Sequence, residues 1–174
     1  MLVAFRKRKV FLKKLHVAHQ EAVVVNFIPK FMSDKKNVVV LCTRNSCRSQ
    51  MAHGYLNYFA KDYANVYSAG VETHGLNPGA IMIMKDDDID ISNHTSNHVD
   101  EYTAISFDYV ITVCDHANEI CPVFPGGTVR LHHNFKDPAK ATGTEEEIMQ
   151  SFREARDKIK VYFQDFANKN FTDQ

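Results

Sequence analysis

The chain has 174 residues, 44% hydrophobic and 24% charged, with 21 basic and 21 acidic side chains and a formal net charge of zero. That is the make-up of a globular domain, and its charge balance argues against a nucleic-acid or anionic-membrane binder. No apolar run reaches the roughly 18 to 20 residues of a membrane span, and four cysteines at this length do not form a secreted disulfide scaffold, so a reducing cytoplasm is expected.

The chain opens on a basic stretch containing Arg6-Lys7-Arg8-Lys9 and Lys13-Lys14. Lys13, Lys14, His16 and His19 interrupt its apolar residues, so it is not a signal peptide. Residues 1–31 read as a solvated extension or as the product of an upstream start codon, since Met32 stands just before the first strand. Residues 32–174 read as a single domain.

From Asn37 onward strands and helices alternate. Val38 to Leu41 is a short buried strand, and Met51 to Phe59 a helix with Met51, Tyr55 and Phe59 on one face. Asn65 to Ser68 is a second strand, ending in Ala69-Gly70. Asn77-Pro78 places an N-cap before proline at the first helical position and opens a helix through Met84. Phe107 to Val113 and Thr128 to Leu131 are the third and fourth strands. The last helix begins with the capping box Thr144 and Glu147, and Ile148, Phe152, Ala155, Ile159, Tyr162 and Phe166 recur at helical spacing behind it. The alternation predicts an α/β fold with three layers: a four-stranded parallel sheet with helices on both faces. Ligands in such folds bind beyond the carboxyl ends of the strands, where Cys42 and Cys114 both lie.

The most chemical stretch is Cys42-Thr43-Arg44-Asn45-Ser46-Cys47-Arg48-Ser49. A strand that turns directly into a helix leaves backbone N–H groups unpaired in the connecting loop. With the helix dipole they make a seat for a tetrahedral oxyanion, formed here by Thr43 to Ser49. A cysteine at the base of that seat, with Arg48 nearby, is favoured as thiolate. A guanidinium also grips two oxygens of such an anion at once, as a lysine does less well.

Here the chain resembles the low-molecular-weight tyrosine phosphatase superfamily, and within it the thioredoxin-coupled arsenate reductases. The likeness runs from about Asn37 to Phe166 and rests on four stretches: Cys42 to Ala52, Tyr67 to Gly75, Ile89 to Ser96, and Asp137-Pro138-Ala139. It implies that Cys42 is the nucleophile, that Arg48 clamps the oxyanion and that Asp137 is the general acid. It further implies that Cys114 attacks the cysteine–arsenic adduct, releasing arsenite, and that Cys121 then moves the disulfide outward for thioredoxin to reduce. The expected protein is a monomeric enzyme with no bound organic cofactor and no metal.

The segment from Asp115 to Ile120 is helix-compatible. Seven helical residues rise about 10.5 Å, against a disulfide Cα separation of at most about 7 Å, so joining Cys114 to Cys121 requires that segment to unwind. A zinc site is the competing reading for the pair, but its six-residue gap is wider than the usual spacing of about two to four. Cys47 is assigned no catalytic step. His132-His133 with His94 and His98 invite a metal, but adjacent strand residues point to opposite faces.

Three departures from the family pattern stand out. Arg44 occupies a usual glycine position, where a positive φ would strain it by roughly 1–2 kcal/mol. The positions where some members hold a monovalent cation with acidic side chains carry His53 and Asn97, so that site is not carried over. No tyrosine pair follows Asp137-Pro138, which disfavours the rival reading of a phosphotyrosine phosphatase. A second rival is a non-enzymatic arsenite or redox sensor with Cys42, Cys114 and Cys121 as ligands.

Overall fold

A computed structural model describes residues 35–171; the basic extension expected over residues 1–31 lies outside the described residues. Four parallel strands, β1 (Lys36–Cys42), β2 (Ala64–Gly70), β3 (Tyr109–Thr112) and β4 (Val129–His132), form one sheet in the order β2-β1-β3-β4. Helices α1 (Arg48–Ala60), α2 (Pro78–Lys85), α3 (Asp115–Glu119) and α4 (Glu145–Phe171) connect and cover them. None of these helices is long and apolar enough to cross a membrane.

The sequence patterns account for the elements. Val38, Val39 and Val40 are fully buried, as a central strand covered on both faces requires. Asn77 caps α2, its Oδ1 accepting from Gly79 N at 2.8 Å and Ala80 N at 3.2 Å. The capping box of α4 is closed by Thr144 N to Glu147 Oε2 at 2.7 Å and Glu147 N to Thr144 Oγ1 at 3.3 Å. Along α4, Phe152, Ala155, Ile159, Phe163 and Phe166 are buried, whereas Tyr162 is only half-buried. The buried stripe therefore passes through Phe163, and full burial of such a ring contributes about 2–3 kcal/mol.

The differences from expectation are at boundaries. Helix α1 starts three residues before Met51, because Met51 N already donates to Cys47 O at 2.9 Å. Strand β3 is shorter than Phe107 to Val113, although bonds from Asp108 N to Asn37 O and from Val113 N to Leu41 O prolong its ladder with β1.

The register places the chemistry. Leu41 pairs with Thr112 and Cys42 with Gly70. Strand order reverses at β1, whose neighbours β2 and β3 follow it in the chain, so the crevice beyond Cys42 is the switch point of the sheet.

Candidate active site

Thr43 to Cys47 carry the chain from β1 into α1, and each of their five carbonyls is taken by a donor outside the turn. Thr43 O accepts from Glu72 N at 2.9 Å, Arg44 O from Ser96 Oγ at 3.3 Å and Asn45 O from Gln50 Nε2 at 3.0 Å. Ser46 O accepts from Asn77 N and Cys47 O from Met51 N, both at 2.9 Å. In a trans peptide the C=O and the following N–H point opposite ways. Holding these carbonyls outward therefore turns the N–H groups of residues 44 to 48 inward over Cys42, and the Arg44 N–H bonds the Cys42 sulfur. The result is an anion-binding nest at a helix N-terminus.

Asn45, not Arg44, takes the left-handed conformation, with φ of 44°. Asparagine tolerates that region better than most residues, so the strain expected at Arg44 is absent. The Arg44 side chain instead lies at the mouth, its Nε 3.7 Å from Glu72. Asn45 is fully buried behind the loop, donating to Ser49 Oγ at 3.0 Å and accepting on Oδ1 from Gln50 Nε2 and Asn97 N. Gln50 in turn bonds Thr95 O and His94 Nδ1. The Asn45 and Ser49 side chains thus brace the seat from below, while Thr43, Arg44, Ser46, Cys47 and Arg48 line its cavity of about 180 Å³.

Arg48 is buried, with Nη1 donating to Phe135 O and Nη2 to Asp137 Oδ2, both at 2.9 Å. Among the described residues its buried Nε has no hydrogen-bond partner, which leaves a donor for an anion's oxygen. Asp137 also accepts from Ala139 N and caps the turn that Pro138 opens, so the Asp-Pro pair serves both a turn and the site. Asp137 lines the Cys42 cavity and a second of about 630 Å³, which opens onto Cys114 and shares Thr43, Arg48 and Lys140 with the first.

All four cysteines are free thiols, and the two at the strand ends meet. Cys42 ends β1 and Cys114 follows β3, its neighbour in the sheet, and Thr43 Oγ1 lies 3.3 Å from the Cys114 sulfur. The interaction with Cys42 lowers the Cys114 thiol to about 5, helped by Thr43, the Ala117 N–H and Arg48. The interaction with Cys114, followed by burial, pushes Cys42 up, while Arg48 and the Arg44 N–H favour its thiolate. The two sulfurs thus compete for one negative charge in the reduced site, with Arg48 favouring the anion at either.

Cys47 is buried at the head of α1 and pushed up to about 12 by burial, which makes it unreactive. Cys121 is half-buried beyond α3, its thiol directed at Pro122 O and raised by burial. The four histidines considered for a metal are dispersed. His94 bonds Gln50, His98 bonds Val71 O, His132 bonds Thr112 and Asp115, and His133 packs on Phe135 and Tyr162. His53 bonds Ser68 Oγ at 3.1 Å and packs at a tilt against the His94 ring, while Asn97 donates to Glu101. The roles of Gln50, Asn77, Ser96 and the Phe135 carbonyl were missed in the sequence, because a donor to a distant main-chain atom leaves no local pattern.

The family model for low molecular weight phosphotyrosine protein phosphatases matches residues 37–173. The arsenate reductase of Halalkalibacterium halodurans is 47% identical over 134 residues, covering 77% of this chain and 96% of that protein. The arsenate reductase of Oceanobacillus iheyensis is 50% identical over 125 residues, covering 72% and 90% respectively. Among solved structures, an arsenate reductase in a phosphate-binding state superposes with a TM-score of 0.63 at 29% identity, over 77% of this chain and 98% of that one.

Proposed function

The chain belongs to the low molecular weight phosphotyrosine protein phosphatase family, and within it we propose that this protein is an arsenate reductase working by a three-thiol relay. The observation that carries the reading is a second buried thiol at the seat: the Cys114 sulfur lies 3.3 Å from Thr43 Oγ1 and opens on a cavity that shares Thr43, Arg48 and Asp137 with that of Cys42. A phosphatase using Cys42, Arg48 and Asp137 gives that second sulfur no task.

Arsenate occupies the seat on the inward N–H groups and Arg48. Cys42 passes its proton to solvent and attacks arsenic as the thiolate, which Arg48 and the Arg44 N–H favour. Asp137 donates the proton with which one oxygen leaves as water, because an unprotonated oxide is a poor leaving group. Cys114, which Thr43, Ala117 N–H and Arg48 favour as thiolate, next attacks the Cys42 sulfur. The S–As bond breaks with its electron pair on arsenic, so arsenate becomes arsenite and the two cysteines become a disulfide. Cys121 attacks Cys114, Cys42 leaves as thiolate, and the Cys114–Cys121 disulfide is passed to thioredoxin. Ile120 and Val123, exposed by 49% and 90%, flank Cys121-Pro122 and supply apolar shoulders for a protein reductant. The reading takes residues 32–174 as one monomeric domain in the reducing cytoplasm, with no bound cofactor.

The test is the Cys114→Ser variant given arsenate, thioredoxin and thioredoxin reductase, with disulfides mapped by mass spectrometry. Multiple turnover should vanish while one equivalent of arsenate still reacts with Cys42. Sustained arsenite release by this variant at the wild-type rate would overturn the relay.

A further inference from the structure

Helix α3 lies between the two sulfurs that the relay must join, and little apolar packing holds it. Of its five residues, Asp115, His116, Asn118 and Glu119 are exposed and only Ala117 is buried. A helix this short does not sustain itself through its own hydrogen bonds, so side chains outside it must hold it wound. Asp115, the first residue after Cys114, supplies that attachment. Its Oδ1 lies 3.1 Å from His132 Nε2, and its Oδ2 accepts from Asn134 Nδ2. His132 is fixed in turn by Thr112, whose Oγ1 lies 2.8 Å from His132 Nδ1 and donates to Asn118 Oδ1 at 3.2 Å. One carboxylate thereby ties the first turn of α3 to the end of β4 and to the loop leading to Arg48's partner Phe135.

We infer that Asp115, His132 and Asn134 form a clamp that keeps α3 wound, and that its release gates the transfer of the disulfide from Cys42–Cys114 to Cys114–Cys121. The inference deepens the relay reading and rests on it for the kinetic part alone. In the gated step the Cys121 thiolate attacks the Cys114 sulfur, the bond to Cys42 breaks, and Cys42 leaves as thiolate, so two electrons stay within the three sulfurs. Cys121 cannot reach Cys114 while α3 stands, because the helical rise exceeds the span of a disulfide. Premature unwinding would also pull Cys114 away from Thr43 and Cys42 before arsenite is released. These are positioning residues; none touches the anion seat.

The experiment uses the full-length protein and the variants Asn134→Ala, Asp115→Ala and Asp115→Asn. In the reduced proteins, hydrogen exchange is followed by mass spectrometry in a peptide spanning residues 115–121. In single turnover with arsenate, rapid acid quench and thiol alkylation follow each disulfide while arsenite is assayed separately. For Asn134→Ala, exchange of the peptide and the transfer step should each accelerate about tenfold, as expected for losing one hydrogen bond to a charged group, with arsenite release within about threefold. Asp115→Ala should exceed that effect, and Asp115→Asn, which still accepts from Asn134, should fall between wild type and Asp115→Ala. Unchanged exchange in both alanine variants overturns the clamp. Faster exchange with an unchanged transfer rate overturns the gate. A wild-type protein that releases arsenite without forming a Cys114–Cys121 bond overturns the relay instead, and the exchange data from reduced protein still decide the clamp.

Discussion

Replacing Gly70 with alanine tests whether the anion seat works through main-chain shape. Gly70 ends β2 opposite Cys42 and donates its N–H to Asn97 O at 2.9 Å. A methyl group there would lie 2.4 Å from Glu72 O, 2.7 Å from Asn45 N and 2.8 Å from Thr43 O. Ordinary C···O contact begins at about 3.3 Å, so the backbone must move by roughly 0.5–0.9 Å. All three atoms are main chain, and no side-chain rotation relieves the overlap. Overpacking of this kind costs about 1–3 kcal/mol, which for a domain this size lowers Tm by roughly 3–10 °C. Displacing the loop by close to an ångström should slow attack on arsenate by about 10²-fold. Single-turnover arsenite release at saturating arsenate gives the rate, and circular dichroism gives the melting point. A Gly70→Ala protein that keeps its melting point and reacts within about threefold of wild type would refute the argument that the loop is shaped by this contact.

Arg48→Lys should lower kcat/KM for arsenate by about 10²–10³, because an ammonium cannot serve the anion while also bonding Phe135 O and Asp137; steady-state kinetics with thioredoxin in excess measure it. Stability should fall in acid because of His53, which burial, aided by His94, lowers from 6.5 to about 4. The folded state keeps this ring neutral while the unfolded chain protonates it, so stability present above pH 6.5 is lost as pH falls toward 4, by about 2 kcal/mol at pH 5. Urea titrations of wild type and His53→Gln at pH 7 and 5 should show a smaller loss in the variant, and equal losses would exclude His53 as the source.

Much of the fold was legible because each signal was local. The valines of β1, the Asn77-Pro78 cap and the Thr144/Glu147 box each specify structure within a few residues, and all three stand as read. The site was legible where residue type and spacing carry the chemistry, as with Cys42 and Arg48. It was illegible where geometry depends on distant partners. The lowering of the Cys114 thiol follows from strand register, which brings that sulfur and the Thr43 hydroxyl together across β1 and β3. The positive φ belongs to Asn45 because Ser49, Gln50 and Asn97 anchor its side chain, and no local pattern announces that shift from its neighbour Arg44. Phe163 displaced Tyr162 from the core because the stripe on a long α4 advances by 3.6 residues per turn, so a fixed spacing drifts off the buried face.

The outward carbonyls of Thr43 to Cys47 leave the catalytic turn with almost no say in its own shape. Their donors come from Glu72, Asn77, Ser96 and the first turns of α1, so a peptide copied from residues 42–50 would carry Cys42 and Arg48 but keep only Gln50 of the donors that hold the turn. Inheritance of the activity is therefore spread along the polypeptide. A lesion at Ser96 or Asn77, far from arsenic in sequence and chemically inert, would surface as an enzyme that folds and fails to react.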